Sequence, residues 1–154
     1  MNKLKTVIAS VVMCVLGILS VNAQDYSGVY SGKLENVTMN GNSYDDVEGV
    51  TFTLTHISGE QYNLKSSEIG PIGSMPGTIT VDATVTIKDG VLSATNGNRA
   101  GTLTLDFGGI PFPIYMGGIT GNVAESPLTF TLDTYSLEFF GYDVFKASVK
   151  FVEE

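Results

Sequence analysis

The chain has 154 residues, with eight basic and sixteen acidic side chains and a formal net charge of −8. That length suits one ordinary domain with enough chain to bury a real core. The excess of acids argues against nucleic acid or an anionic lipid surface as partner, because both would be repelled.

Lys3 and Lys5 precede an uncharged, mostly apolar run, Thr6–Leu19, and Val21-Asn22-Ala23 then offers small residues to a signal peptidase. The pattern predicts a secretory leader over residues 1–23, cleaved between Ala23 and Gln24. The run is shorter than the roughly 20 apolar residues a spanning helix needs, so a retained anchor is not expected. Cys14, the one cysteine, sits inside this run behind Met13, which is bulky where a lipidation signal wants a small residue. Cys14 is therefore expected to leave with the leader, and the domain of residues 24–154 to hold no disulfide. Without Lys3 and Lys5, six basic residues face sixteen acids, a net charge near −10.

From there the chain reads as strand after strand. Tyr26, Tyr30 and Leu34 share one face, with Gly28 and Gly32 between them. The apolar parity then switches to Val37 and Met39, which predicts a bulge near Asn36. Asn40-Gly41-Asn42 is a turn, and Ser43–Glu48 a polar loop or frayed strand. Val50, Phe52, Leu54 and His56 alternate with threonines, and Ser58-Gly59-Glu60 turns the chain into Gln61–Ser66. Glu68–Gly77 is irregular, with two prolines and three glycines.

Thr78–Lys88 carries the sharpest signal. Ile79, Val81, Ala83, Val85 and Ile87 alternate without a break with Thr78, Thr80, Asp82, Thr84, Thr86 and Lys88. That is period two, the mark of a strand with one buried and one wet face. Asp89-Gly90 then predicts a tight hairpin into Val91–Thr95. A strand is expected over Ala100–Phe107 with Leu103, Leu105 and Phe107 inward, followed by an irregular apolar segment, Gly108–Gly118. Ile119–Ala124 reads as a short strand, Glu125-Ser126-Pro127 as a turn, and Leu128, Phe130 and Leu132 as the next strand. Tyr142–Val152 closes the series, with Phe145, Ala147, Val149 and Phe151 on one face.

Eight or nine strands joined by short connections predict an all-β fold, an antiparallel up-and-down meander closed into a barrel. At this size a barrel either fills with side chains or holds one small ligand.

With YSGVYSGKL at its start, TITVDATVTIKDG in its middle, and GITGNVAESPLTFTLD and YDVFKASVKF late, the chain resembles a known family. It is similar to the calycin-like (lipocalin-like) β-barrel domains of secreted or envelope proteins from anaerobic Gram-negative gut bacteria. The resemblance spans roughly Tyr26 to Val152 and implies a calycin-like barrel with no catalytic residues to carry over. In place of the tryptophan that lipocalins have after a first-strand glycine, Gly28-Val29-Tyr30 offers tyrosine.

Site candidates are few. His56, the only histidine, lies on the apolar parity of its strand and could orient a ligand in a cavity, or could be a strand-end residue bonded to backbone. No nucleophile motif surrounds it, so no enzyme is expected. Asp45, Asp46 and Glu48 lack the spacing of a calcium loop, and one histidine with no retained cysteine cannot supply a usual zinc or copper set. No metal or other cofactor is expected. The apolar segments around Ile69–Pro76 and Ile110–Met116 would either plug an end of the barrel or line a site. The candidate ligand contacts are His56, Met75, Ile110, Phe112, Ile114, Tyr115 and Met116.

The function expected from these readings is a secreted or periplasmic, non-enzymatic barrel that binds a small apolar ligand. The alternative is a filled barrel acting as a protein-interaction module, such as an inhibitor or envelope-associated subunit. A small outer-membrane barrel is the third reading. Strands of this length suit it, but the chain ends Val152-Glu153-Glu154 without the aromatic residue such barrels place last.

Overall fold

The computed structural model describes residues 24–137 and 145–154. The leader over residues 1–23 and the start of the last expected strand, Tyr142–Val144, lie outside them.

The described residues form ten strands: β1 (Gly28–Met39), β2 (Asn42–Tyr44), β3 (Val47–Ser58), β4 (Gln61–Ser66), β5 (Gly77–Lys88), β6 (Val91–Ser93), β7 (Arg99–Leu105), β8 (Pro111–Asn122), β9 (Thr129–Tyr135) and β10 (Lys146–Glu153). Every pairing is antiparallel. The wall runs β1-β3-β4-β5-β7-β8-β9-β10, and β10 pairs back with β1 to close an eight-stranded barrel. β2 folds back on the end of β1. β6 shares a slot with β7, each pairing with a different end of β5 and both pairing with β8.

β5 behaves as its alternation requires. Ile79, Val81, Ala83, Val85 and Ile87 are buried, and Asp82, Thr84 and Lys88 face water. Each large aliphatic side chain removed from water in this way contributes roughly 1.5–3 kcal/mol before entropy costs. The hairpin that follows has Lys88 paired with Val91 and positive φ at both Asp89 (50°) and Gly90 (83°). That is the backbone of a type I′ turn, whose twist matches the strands it joins. In β1 the expected bulge is at Asn36, whose φ is 50°, and the register against β10 shifts between Glu35 and Thr38. The shift keeps Leu34, Val37 and Met39 all inside.

Two expectations are corrected. The strand expected over Ala100–Phe107 ends at Leu105, and Phe107 is 69% exposed in the turn that follows. More important, Gly108–Gly118 is not an irregular segment: from Pro111 onward it is β8, continuous with the strand expected over Ile119–Ala124. Its prolines fit because of where they fall on the ladder. The Ile110 carbonyl accepts from Leu105 N–H, and Met116 bonds to Gly97 and Asn98, so the even-numbered residues of β8 face β7. Pro111 and Pro113 turn their nitrogens the other way, before the register with β9 begins at Tyr115. A proline is tolerated where the ladder has no partner for it. The Gly117-Gly118 pair then forms a bulge against β9. Inward parity passes from Ile114 and Met116 to Ile119.

Inside, Phe52, Phe130 and Phe151 form a three-ring cluster with centroids 4.9–5.2 Å apart. The segment between β4 and β5, expected to be irregular, is a plug. Ile69 and Ile72 are buried, and Ile69 bridges Ile79 through two backbone hydrogen bonds of 2.8 Å. The buried Ser66 hydroxyl accepts from Val81 N–H at 2.8 Å, so that polar group is satisfied.

Candidate functional site

The seven candidate residues do not converge. His56 is exposed near the β3–β4 hairpin. Ile110 is exposed in the β7–β8 turn, and Met75 is half-buried in the plug; both lie at the opposite end of the barrel. Ile114 and Met116 are core residues, 0% and 1% exposed. Phe112 and Tyr115 are half-buried on β8 opposite Leu103 and Arg99, and Tyr115 packs its ring 5.8 Å from Tyr135. The apolar run that looked like a mouth is a wall strand.

Among the described residues, the barrel interior is packed with buried side chains. The void bounded by Leu34, Phe52, Ile69, Ile79 and Leu132 measures about 30 Å³. A small-molecule site needs roughly ten times that volume.

The space is at the ends. One open depression of about 780 Å³ is lined by Gly117, Asp133, Tyr135, Phe145 and Lys146. Another, about 800 Å³, lies where the β3–β4 and β5–β6 hairpins meet residues 24–26. It is lined by Asp25, Tyr26, His56, Glu60, Lys88 and Asp89, with Tyr62, Ile87 and Ala124 among the residues between them.

Residues 24–27 form a strap across this end. Tyr62 Oη accepts from Tyr26 N–H at 3.2 Å and donates to the Gln24 carbonyl at 3.4 Å. Tyr30 Oη donates to the Tyr26 carbonyl at 2.7 Å, and His56 N–H donates to Ser27 Oγ at 3.0 Å. Burial, with Glu153 and Asp25 nearby, pushes the Tyr30 phenol above its ordinary 10.0, so it stays a donor. The His56 ring stands edge-on to Tyr62 at 5.1 Å, and its Nε2–H donates to the Gly59 carbonyl at 2.9 Å. This is the strand-end histidine of the two readings. Its inward parity runs out past the core, which the alternation of residues 50–56 could not show. The Tyr62 latch was also missed; the tyrosine at position 62 signalled only an inward face.

Asp25 gives the strap a pH dependence. Hydrogen bonds from the Ser27 side chain and backbone hold its carboxyl below the ordinary 3.8, against a smaller desolvation effect, with His56 assisting. A depressed folded value stabilises the strap above the ordinary carboxylate range, and that contribution is lost as pH falls through the depressed value. The Ser27 amide resonance is expected to titrate below 3.8 in an NMR pH series; a midpoint at or above 3.8 would contradict the contact.

Among the described residues, no group of three or more His, Cys, Asp or Glu side chains is placed to hold a metal ion. The molecule is thus defined as a closed antiparallel β-barrel with a packed interior and an open rim. Comparisons with protein-family models, curated proteins and solved structures found no match.

Proposed function

We propose that the protein is a non-enzymatic barrel of the cell exterior or envelope, exported by its leader, that acts as an interaction module on its outside. The observation that carries this reading is the interior void of about 30 Å³. It favours the filled-barrel alternative over a barrel that encloses a small apolar ligand. The likeness of YSGVYSGKL and TITVDATVTIKDG to calycin-like domains agrees with a barrel of this kind and supplies no ligand. His56, the one imidazole in the chain, donates to a backbone carbonyl and not to a nucleophile.

The outer surface speaks against a membrane barrel. Outward positions of β5 are threonine, aspartate and lysine, while the apolar residues point inward. An outer-membrane barrel has the reverse arrangement, an apolar band facing lipid.

Palmitate, cholesterol and hemin test the reading by thermal shift. A ligand that enters only the folded state raises the melting temperature by mass action. No rise is expected for any of the three. A saturable rise would restore an enclosed ligand as the function.

A further inference from the structure

The depression beside Asp133 and Tyr135 has the size of a small-molecule site, about 780 Å³, and its chemistry indicates the ligand. Cross-strand register sets its surface. Gly118, Asp133, Ser148 and Thr38 make one row across β8, β9, β10 and β1, and Tyr115, Tyr135 and Lys146 make the next. Gly117 and Gly118 carry no side chain, so the bulge in β8 leaves low ground beside Asp133 and Tyr135.

Thr134 is the unexpected member. It is 7% exposed and borders both this depression and the small interior void. Its hydroxyl makes no hydrogen bond among the described residues. Ser136, the next inward residue, likewise has a buried Oγ without a partner. Hydroxyls that the fold does not use call for an explanation outside it.

Charge and backbone narrow the choice of ligand. Asp133 and Lys146 are exposed, form no ion pair with each other or with another described residue, and cancel in charge. A charged ligand would therefore meet a like charge as well as an opposite one. β9 and β10 are paired on both sides, so they offer no free edge to an extended peptide. A neutral ring bearing many hydroxyls suits what is left. Asp133 accepts, Lys146 donates, the Thr134 and Ser148 hydroxyls do both, and Tyr135 offers a flat apolar face. These groups are also held in place. Tyr135 leans on Tyr115 with ring centroids 5.8 Å apart. Lys146 N–H donates to Asn40 Oδ1 at 2.9 Å, and its carbonyl accepts from Asn40 N–H at 2.8 Å. Groups fixed beforehand lose little entropy when a ligand arrives.

We propose that this depression binds a neutral saccharide. One sugar ring lays its C–H face on Tyr135, donates hydroxyl protons to the Asp133 carboxylate, accepts from Lys146, and reaches Thr134 with a further hydroxyl. The proposal rests on the reading of the barrel as an interaction module and names the ligand class that its outside meets.

Backbone-amide NMR of the labelled protein tests it, by titration with maltotetraose, cellotetraose, mannotetraose and chitotetraose, and with N-acetyl-tetra-alanine amide. At least one tetrasaccharide is expected to shift the amides of Gly117, Gly118, Asp133, Tyr135 and Lys146 saturably. The affinity should be the same at low and high salt, because a neutral ligand has no charge to screen. The peptide is expected to leave these amides in place. Asp133→Asn should weaken the saccharide roughly tenfold, the share of one charge-assisted hydrogen bond. Tyr135→Leu keeps an apolar side chain but loses the flat face, and should weaken it at least about fivefold. Asp82→Asn, elsewhere on the wall in β5, should change nothing. Thr134→Val separates a ligand role from a structural one. It should weaken the saccharide roughly threefold and leave the melting temperature of the free protein unchanged or raised, since the fold makes no use of the hydroxyl.

No shift with any tetrasaccharide, shifts spread evenly over the surface, or equal weakening by Asp82→Asn and Asp133→Asn would overturn the site. Peptide shifts at the same amides would overturn the saccharide as its ligand. A lower melting temperature for Thr134→Val would overturn the part given to that hydroxyl. None of these results touches the packed interior, whose own test is the thermal shift with apolar ligands, so the two readings fail separately.

Discussion

Phe151→Ala should cost the domain about 3–5 kcal/mol, the range for deleting a buried phenylalanine. Phe151 is fully buried, its centroid 4.9 Å from Phe52 and 5.2 Å from Phe130. The Phe52 contact is edge-to-face, at an interplanar angle of 70°. Such pairs contribute beyond the area they bury. Against a typical stability of about 5–15 kcal/mol, the loss is large enough to read directly from urea unfolding. A loss below about 1 kcal/mol would mean that the three rings are not the packed centre of the barrel. The variant also converts a filled barrel into one with an apolar hole. Benzene should then raise its melting temperature while leaving that of the unaltered protein unchanged, as it does for engineered apolar cavities elsewhere.

The second large effect is expected at the seam. Gly32 pairs with Val50 on one side and Glu153 on the other, where β1 meets β10. A Cβ at position 32 would fall on the Val152 carbonyl oxygen and 2.9 Å from the Glu153 Cα. Backbone cannot yield as a side chain can, so Gly32→Ala should cost about 3 kcal/mol or more, the upper range for overpacking. Gly28, four residues earlier on the same strand, supplies the control. A Cβ there meets only the Tyr30 ring at 3.7 Å, ordinary contact. Gly28→Ala should stay within about 0.5 kcal/mol of the parent. Thermal melts of the two variants decide the matter: if they coincide, the close approach across the seam is not there.

Where the sequence was legible, one physical rule governed the residues. Period-two alternation over Thr78–Lys88 has one interpretation, and so does Asp89-Gly90 after it. The bulge at Asn36 was readable because a bulge is what a parity switch means. The stretch Gly108–Gly118 failed for a related reason: two prolines and several glycines argue for a loop, and only tertiary position reverses the argument. Pro111 and Pro113 are admissible because no register with β9 reaches them, a fact about β9 and not about β8. Phe107 was misplaced because alternation says nothing about where pairing stops. The rim was the least readable part. Its residues come from positions 24–26, 56–62, 87–89 and 124, and no local pattern joins them. The size of the interior void was equally hidden, since it depends on how three phenylalanines from β3, β9 and β10 interlock.

The seam at Gly32 also orders events in time. Around the wall, each strand pairs with the next wall strand along the chain, so those contacts close short loops. The β1–β10 ladder instead joins Gly32 to Glu153, and its closure must wait for nearly everything between them. Contacts made after the rate-limiting barrier affect escape from the native state and not arrival at it. Gly32→Ala should therefore speed unfolding in stopped-flow experiments and leave the refolding rate almost unchanged. The joint that makes the barrel whole is then also its point of release.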